Sequence, residues 1–543
     1  MRTLSESALI ATKDRIATVP VARGNRSGDD RKVKKEWMGG DIVNMSANPV
    51  LTSATPDSGA VDVPRASLTL PVLVGVTGSM VLALGSNLPG SPFGPHAAGL
   101  WPLAGSGPAP GWEGPVVPEW AQLADQTPGL GPGRLLTTAL IVVGVGLLAW
   151  AWASAWRRVR ARPTLGLTRL WCMVGAWVAP MLLASPFASQ DVWLSGAQGK
   201  MVVAGLGGYS PPSLLGHSVW TLAVDAKWAS RPSYYGPGAL NLSALFVRIS
   251  GGRPWVAAEC WRVTAVLGLA LCAWGIHRIV LQRGGKATVA ALVGAANPAV
   301  LLILVGGIHN DALMLGLTVS GVALALCGNR YWGIVLCALG AAVKPSALLA
   351  VGAVAWWGWN SEWRQRTKGF LTAAGAVVAV FVVSGLTVGG GFGWVRPALS
   401  YGSVPGPWSL GARFLGAKTG GPVDAIEIGG LILAIFLVIG TRTAARWTVG
   451  LGWAFAALAV TNPKPEPWYL AWAIVFLACG GLSRLSERAG VLVLVTMMAG
   501  STVVPGPFWW FSGIVLLGWL GVIALRAPAG KRNPVSSDLT QPR

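Results

Sequence analysis

Charge is what this chain has least of. Only 12% of its 543 residues are Asp, Glu, Lys or Arg, about half the share of a soluble globular domain. With 53% hydrophobic residues and a mean hydropathy of +0.55, that scarcity excludes an ordinary soluble enzyme. Cysteine is also sparse. Cys172, Cys260, Cys272, Cys327, Cys337 and Cys479 each lie within or at the edge of an apolar run, with no CxxC pair and no Cys/His cluster. A disulfide framework or thiolate metal site is therefore not expected, and the six read as small packing residues. Acid is scarcer than base, 21 residues against 42, giving a formal net charge of +21. The basic residues form short clusters between apolar runs rather than one patch, as topogenic signals do, so no nucleic-acid partner is expected. An apolar core near residue 10 and a small-residue cleavage site are both missing, which argues against a signal peptide. Residues 1–65, with Asp30-Arg31-Lys32-Val33-Lys34-Lys35, read as a disordered cytoplasmic tail able to touch anionic lipid; Met38 and Met45 are alternative starts.

What the chain has instead is a series of apolar runs at 67–86, 134–156, 168–188, 256–280, 287–306, 311–328, 331–343, 346–359, 368–388, 425–440, 446–461, 468–480, 489–504 and 508–526. A straight crossing needs about 20 residues, so the shorter late runs must be extended, tilted or re-entrant, the 331–359 pair above all. The expectation is an all-α polytopic membrane protein with about fourteen transmembrane or re-entrant helices. Every second connection is basic: Arg157-Arg158-Val159-Arg160, His277 to Lys286, Arg330, Arg364 to Lys368, Arg442 and Arg446, Arg484 and Arg488, and Arg526 to Arg532. Basic connections stay inside. One arrangement satisfies them all, with both termini cytoplasmic, a membrane domain over 66–526 and a cytoplasmic tail over 527–543. The connections 87–133, 189–255 and 389–424 then face outward.

On that outer side the topology collects three polar clusters: Gln190-Asp191, His309-Asn310-Asp311 and Lys344-Pro345. From Trp193 to Tyr209, apolar Trp193, Leu194, Ala197, Met201, Val202 and Leu206 recur at helical spacing. This reads as an amphipathic helix in the membrane interface that begins at Asp191. Asp191 is then either its cap or a reacting group. Asn310 or Asp311 is a candidate cap for the following helix, which leaves His309 without a structural role; ionisable groups at membrane depth are usually functional. Lys344 is either a snorkelling interface residue or a cation held for an anion. Pro345 should break the helix there, and a broken helix carrying a cation suits a phosphate. Tyr234-Tyr235-Gly236-Pro237 and Pro465-Glu466-Pro467-Trp468-Tyr469 also lie outside, with Trp394 and Trp408. Aromatic residues at this depth form interface belts, and beside a sugar site the same rings can stack on pyranose faces.

The ordered set Gln190-Asp191-Val192-Trp193 with Ala197-Gln198-Gly199 and Tyr209, Tyr235-Gly236-Pro237, Asn297-Pro298 with Gly306-Gly307 and His309-Asn310-Asp311, Ala341-Ala342-Val343-Lys344-Pro345, and Pro467-Trp468-Tyr469 with Trp472 resembles the C-type (GT-C) glycosyltransferases that use polyprenyl-phosphate sugars. Among these it is most similar to the actinobacterial polyprenol-phosphomannose-dependent alpha-1,6-mannosyltransferases of the MptA/MptB type. Glu466 departs from the pattern, where a His or a neutral residue would fit. The resemblance implies the GT-C fold, with 189–255 as the catalytic loop and Asp191 as the catalytic carboxylate. It further implies inverting transfer of mannose from a polyprenyl-phosphate-mannose donor to a mannosylated lipid or glycan acceptor, forming an alpha-1,6 bond in lipomannan and lipoarabinomannan. No cofactor or metal is expected, because a phosphate leaves as an anion without a paired acid. In this reading Lys344, His309, Asn310, Asp311 and Gln190 bind the donor and its phosphate, while Tyr235, Trp193, Trp468 and Tyr469 line the substrate. The rival readings are another polyprenyl-phosphate-sugar transferase, such as one for arabinofuranose; a lipid-linked sugar flippase, although no internal repeat is visible; and a non-catalytic scaffold.

Overall fold

A computed structural model describes residues 67–88, 132–161, 166–186, 189, 191–224, 226–357, 362–400, 409–410, 421–441, 444–464, 466 and 468–480. Both tails, the runs at 489–504 and 508–526, and Gln190, Trp408, Pro465 and Pro467 lie outside them. Among the described residues every regular element is a helix. We number the helices α1 (Thr69–Asn87), α2 (Pro132–Ala161), α3 (Leu167–Met181), α4 (Asp191–Val203), α5 (Pro237–Ile249), α6 (Pro254–Gln282), α7 (Ala287–Gly294), α8 (Pro298–Gly306), α9 (Asp311–Leu326), α10 (Arg330–Val343), α11 (Leu348–Trp357), α12 (Trp363–Gly385), α13 (Gly421–Ile439), α14 (Ala444–Thr461) and α15 (Tyr469–Cys479).

By length and composition, four helices among the described residues can cross a membrane: α1, Leu136–Ala161 of α2, α6 and α12. The pair α7–α8, bent by 45°, makes a fifth. Helices α5, α9, α10 and α15 are apolar but only 10–17 residues long, below the length of a straight crossing. Large apolar side chains such as Leu371, Val383, Ile432 and Phe436 stand mostly exposed on α12 and α13. Lipid covers such a surface, and water would not. This is a helical membrane protein.

Small residues let the helices meet backbone to backbone, the usual device where lipid removes the hydrophobic drive to associate. Gly268 of α6 and Gly316 of α9 face each other so closely that a Cβ on either would strike the other helix's backbone, and Gly321 meets Gly333 where α9 crosses α10. Indole N–H groups tie other contacts: Trp177 donates to the Pro71 carbonyl (3.1 Å), Trp152 to Leu292 (3.0 Å) and Trp357 to Val438 (3.1 Å).

Helix α4 starts at Asp191 as the spacing predicts, but it is not the amphipathic interface helix expected. Residues 192–199 are all buried, Ser195 and Gln198 included, because α5, α6 and the Pro212–Leu215 turn pack around the helix. A Cβ on Gly199 would run into the Ser243 carbonyl of α5. Burial on every side, rather than one apolar stripe, gives α4 a rigid seat and so a fixed start.

Two sequence-encoded breaks matter most. At Asn297-Pro298 the proline cannot continue α7. The Asn297 side chain spans the break, donating to the Val293 carbonyl (2.7 Å) and accepting from the Val300 N–H (2.9 Å). Beyond it the chain widens into a π-turn over Leu301–Gly306, and Ile308 adopts φ 55°. A β-branched residue in that left-handed region is strained by roughly 1–3 kcal/mol, as is common at functional sites. At Lys344-Pro345 α10 stops as expected, Lys344 is extended (φ −141°, ψ 118°), and a short 3-10 turn leads into α11.

Candidate active site

The two breaks and the start of α4 converge. Lys344 Nζ donates to both carboxylate oxygens of Asp311, at 2.9 and 2.8 Å, and Trp472 Nε1 of α15 donates to Asp311 Oδ1 at 2.7 Å. Asp311 is fully buried and Lys344 nearly so. A buried ion pair survives only when further hydrogen bonds satisfy its lone pairs, and Trp472 supplies one. The ammonium also stands over the rings of Tyr469 (4.9 Å), Trp472 (5.3 Å) and Tyr235 (5.8 Å), a box of π-faces that favours a cation. Lys344 is thus no snorkelling residue: its charge points into the protein.

The cap reading of His309-Asn310-Asp311 fails for both its candidates. Asn310 precedes α9 but makes no side-chain cap bond, and both oxygens of Asp311 are engaged elsewhere. His309, itself 2% exposed, lies between the carboxylates. Its Nδ1 is 3.6 Å from Asp191 Oδ2 and 4.0 Å from Asp311 Oδ2, beyond hydrogen-bonding distance of either. Its ring packs on Trp468 with centroids 4.3 Å apart. Burial lowers the His309 pKa, against the upward pull of Asp191 and Asp311 and with the downward push of Lys344.

Asp191 is held more lightly. Its backbone N–H donates to Ser189 Oγ (3.1 Å), and the Tyr235 hydroxyl donates to its Oδ2 at a long 3.4 Å. The Asp191 side chain is 22% exposed where that of Asp311 is 0%. Tyr235 is placed by Gly236, whose N–H donates to the Val343 carbonyl (3.2 Å) immediately before Lys344. A Cβ on Gly236 would collide with the Ala342 carbonyl. Only glycine lets this turn, which carries Tyr235, sit against the end of α10.

The structure therefore brings together Asp191, Tyr235, His309, Asp311, Lys344, Trp468 and Tyr469. Trp193, two residues past the start of α4, is buried in the apolar core. Gln190 is outside the described residues. Trp472 binds Asp311 directly, and its spacing three residues after Tyr469 on one helix face was the signal for it. Arg262 has no such signal. Fully buried in α6, it pairs with Glu259 (2.8 Å) and donates to the Leu182 and Ala184 carbonyls (2.9 and 2.6 Å), fastening the segment that follows α3. Among the described residues no group of three or more His, Cys, Asp or Glu could hold a metal ion.

As chemistry, the site offers one partly exposed carboxylate, an imidazole beside it, and a cation whose charge is balanced by a second carboxylate. A carboxylate so placed can accept a proton. A cation at this depth can stabilise an anion that develops next to it.

Residues 72–360 match the family described as alpha-(1→6)-mannopyranosyltransferase, N-terminal domain. The chain is 31% identical over 429 residues to a probable alpha-(1→6)-mannopyranosyltransferase of Mycolicibacterium smegmatis, covering 68% of this chain and 75% of that protein. It is 30% identical over 378 residues to alpha-(1→6)-mannopyranosyltransferase A of Mycobacterium tuberculosis, covering 64% and 72%. To alpha-(1→6)-mannopyranosyltransferase A of Corynebacterium glutamicum it is 26% identical over 414 residues, covering 68% and 84%. No solved structure matches. The family match includes Asp191, Tyr235, His309, Asp311 and Lys344; Trp468, Tyr469 and Trp472 lie beyond it.

Proposed function

The chain belongs to this family of alpha-(1→6)-mannopyranosyltransferases, and from that premise we propose that it moves mannose from polyprenyl-phosphate mannose to a mannosylated lipid or glycan acceptor. The new bond is alpha-1,6, and the product is the mannan backbone of lipomannan and lipoarabinomannan. The reaction takes place on the outer face of the plasma membrane, on a GT-C scaffold with both termini cytoplasmic. The alternation of basic connections supports that orientation.

Transfer is a single displacement with inversion. The acceptor's primary hydroxyl gives its proton to Asp191 as its oxygen attacks the anomeric carbon. The bond from that carbon to the phosphate oxygen breaks, and polyprenyl phosphate leaves with the electron pair. Lys344 meets the charge that develops on the phosphate. Asp311 and Trp472 hold the Lys344 ammonium in place, so that it need not reorganise during the reaction. His309 lies beside Asp191, its Nδ1 3.6 Å from Oδ2, too far to take up the carboxylate's lone pairs in a hydrogen bond.

The observation that carries this reading is the contrast between the two carboxylates: Asp311 is saturated with partners, while Asp191 is partly exposed and weakly held. The test is mannosyl transfer from polyprenyl-phosphate mannose in membranes containing Asp191→Asn. Near-normal transfer by that variant would remove Asp191 from the role of base.

A further inference from the structure

Four buried polar atoms around this site have no hydrogen-bond partner: His309 Nδ1, Asn310 Nδ2, Ser346 Oγ and Trp468 Nε1. His309 and Asn310 lie in the turn before α9, where His309 faces Asp191 (3.6 Å); Trp468, at the entry to α15, packs on His309, and Ser346 lies in the 3-10 turn after Lys344. A buried donor left unsatisfied costs as much as the desolvation it suffers. Each such group in a native protein calls for an explanation, and a ligand atom that completes it is one.

Trp468 is the informative member. One face of its indole is covered by His309 at 4.3 Å, and Tyr469 meets it edge to face at 6.0 Å. With that face taken by a side chain of the protein, it is closed to a pyranose, the stacking role its position near a sugar site first suggests. What it retains is its N–H, which can only donate. Trp472, one helical turn on, shows the same group in use, donating at 2.7 Å to Asp311. Asn310 is 7% exposed, and its amide nitrogen is likewise unpartnered while its side chain caps nothing.

We propose that Trp468 Nε1 and Asn310 Nδ2 form a neutral donor subsite that binds an oxygen atom of the substrate, so that Trp468 acts by hydrogen bonding rather than by stacking. The inference rests on the reading of the site as a mannosyltransferase centre. The oxygen belongs either to a sugar hydroxyl or to the donor phosphate. Neutral donors beside the buried Lys344–Asp311 pair add no charge to a site whose one cation is already balanced.

The experiment uses Trp468→Phe, which keeps an aromatic ring against His309 and removes the N–H. Full-length protein in membranes is assayed with a short-chain polyprenyl-phosphate mannose and an alpha-1,6-linked mannobioside. The panel then runs through acceptors and donors that each lack one sugar hydroxyl. On the natural pair the variant should lose roughly 3- to 10-fold in kcat/KM, the size of one hydrogen bond. It should then match the wild type on the single analogue that lacks the bonded hydroxyl. A loss that is the same for every deoxy analogue, with inorganic phosphate also inhibiting the variant less well than the wild type, assigns the N–H to the phosphate oxygen. A uniform loss with unchanged phosphate inhibition, or wild-type rates throughout, would overturn the proposal. If Trp468→Phe fails to accumulate, Asn310→Leu is read on the same panel with the same outcomes. Wild-type membranes that transfer no mannose at all would instead overturn the underlying reading.

Discussion

Asp191 and Asp311 are carboxylates that both face Nδ1 of one imidazole, at 3.6 and 4.0 Å, and the protein treats them in opposite ways. Asp311 opens α9, accepts from Lys344 and from Trp472, and is shut off from solvent. Asp191 opens α4, has one long contact from Tyr235, and keeps part of its surface exposed. Both begin a helix, where the macrodipole favours a negative charge, so their helical position does not separate them. The difference lies in the partners other helices bring. A carboxylate saturated with donors is a structural counter-charge; one left under-bonded at an accessible edge is able to take a proton.

The largest effect expected from breaking this comparison is catalytic. Asp191→Asn should lower mannosyl transfer by about 10²- to 10⁴-fold and leave the melting temperature of the detergent-solubilised protein nearly unchanged. Asp311→Asn should act on stability first, because it strands a buried ammonium. Removing one member of such a pair costs about 3–5 kcal/mol, read as a lower melting temperature. The double variant Asp311→Leu with Lys344→Met should recover much of that stability without recovering transfer. If the double variant transfers mannose well, Lys344 is no phosphate clamp. Gly236→Ala probes the link between the two carboxylates. Its Cβ must displace the Ala342 backbone, at about 1–3 kcal/mol, and should separate Tyr235 from Asp191 with a fall in kcat.

The smallest effect is a pH dependence. The His309 pKa is lowered from 6.5 by burial, so the unfolded chain binds its proton at a higher pH than the folded one. Stability from this group is fully present above 6.5 and is lost as pH falls through the folded-state value. The difference in melting temperature between the wild type and His309→Gln should therefore be flat above pH 6.5 and narrow below it. A gap that stays constant through the acid range would show that His309 is not held neutral.

Much of the site was legible in the sequence because membrane sequences make polar residues conspicuous. Asp191, His309, Asn310, Asp311 and Lys344 each interrupt apolar surroundings, and Pro345 announced the break that extends Lys344. The misreadings share one cause. Helix α4 reads as an interface helix and folds as a buried one, because helical spacing tells which residues share a face but not how many neighbours cover the others. The caps suggested at Asn310 and Asp311 fail for a related reason: a cap is a local expectation, and Asp311 finds stronger donors 33 and 161 residues away. Nothing in the sequence marks Arg262, because the Leu182 and Ala184 carbonyls it binds lie 80 and 78 residues away.

By itself the sequence determined that the chain is helical and apolar, where its helices break, and which few ionisable residues carry the cost of burial. Those outcomes follow from local backbone chemistry and from the transfer energies of single side chains. Only the tertiary structure decided which carboxylate is saturated with donors and which is left partly exposed. That depends on where Lys344, Tyr235 and Trp472 arrive in space, and hydrogen bonds between distant segments have no signature in the order of residues.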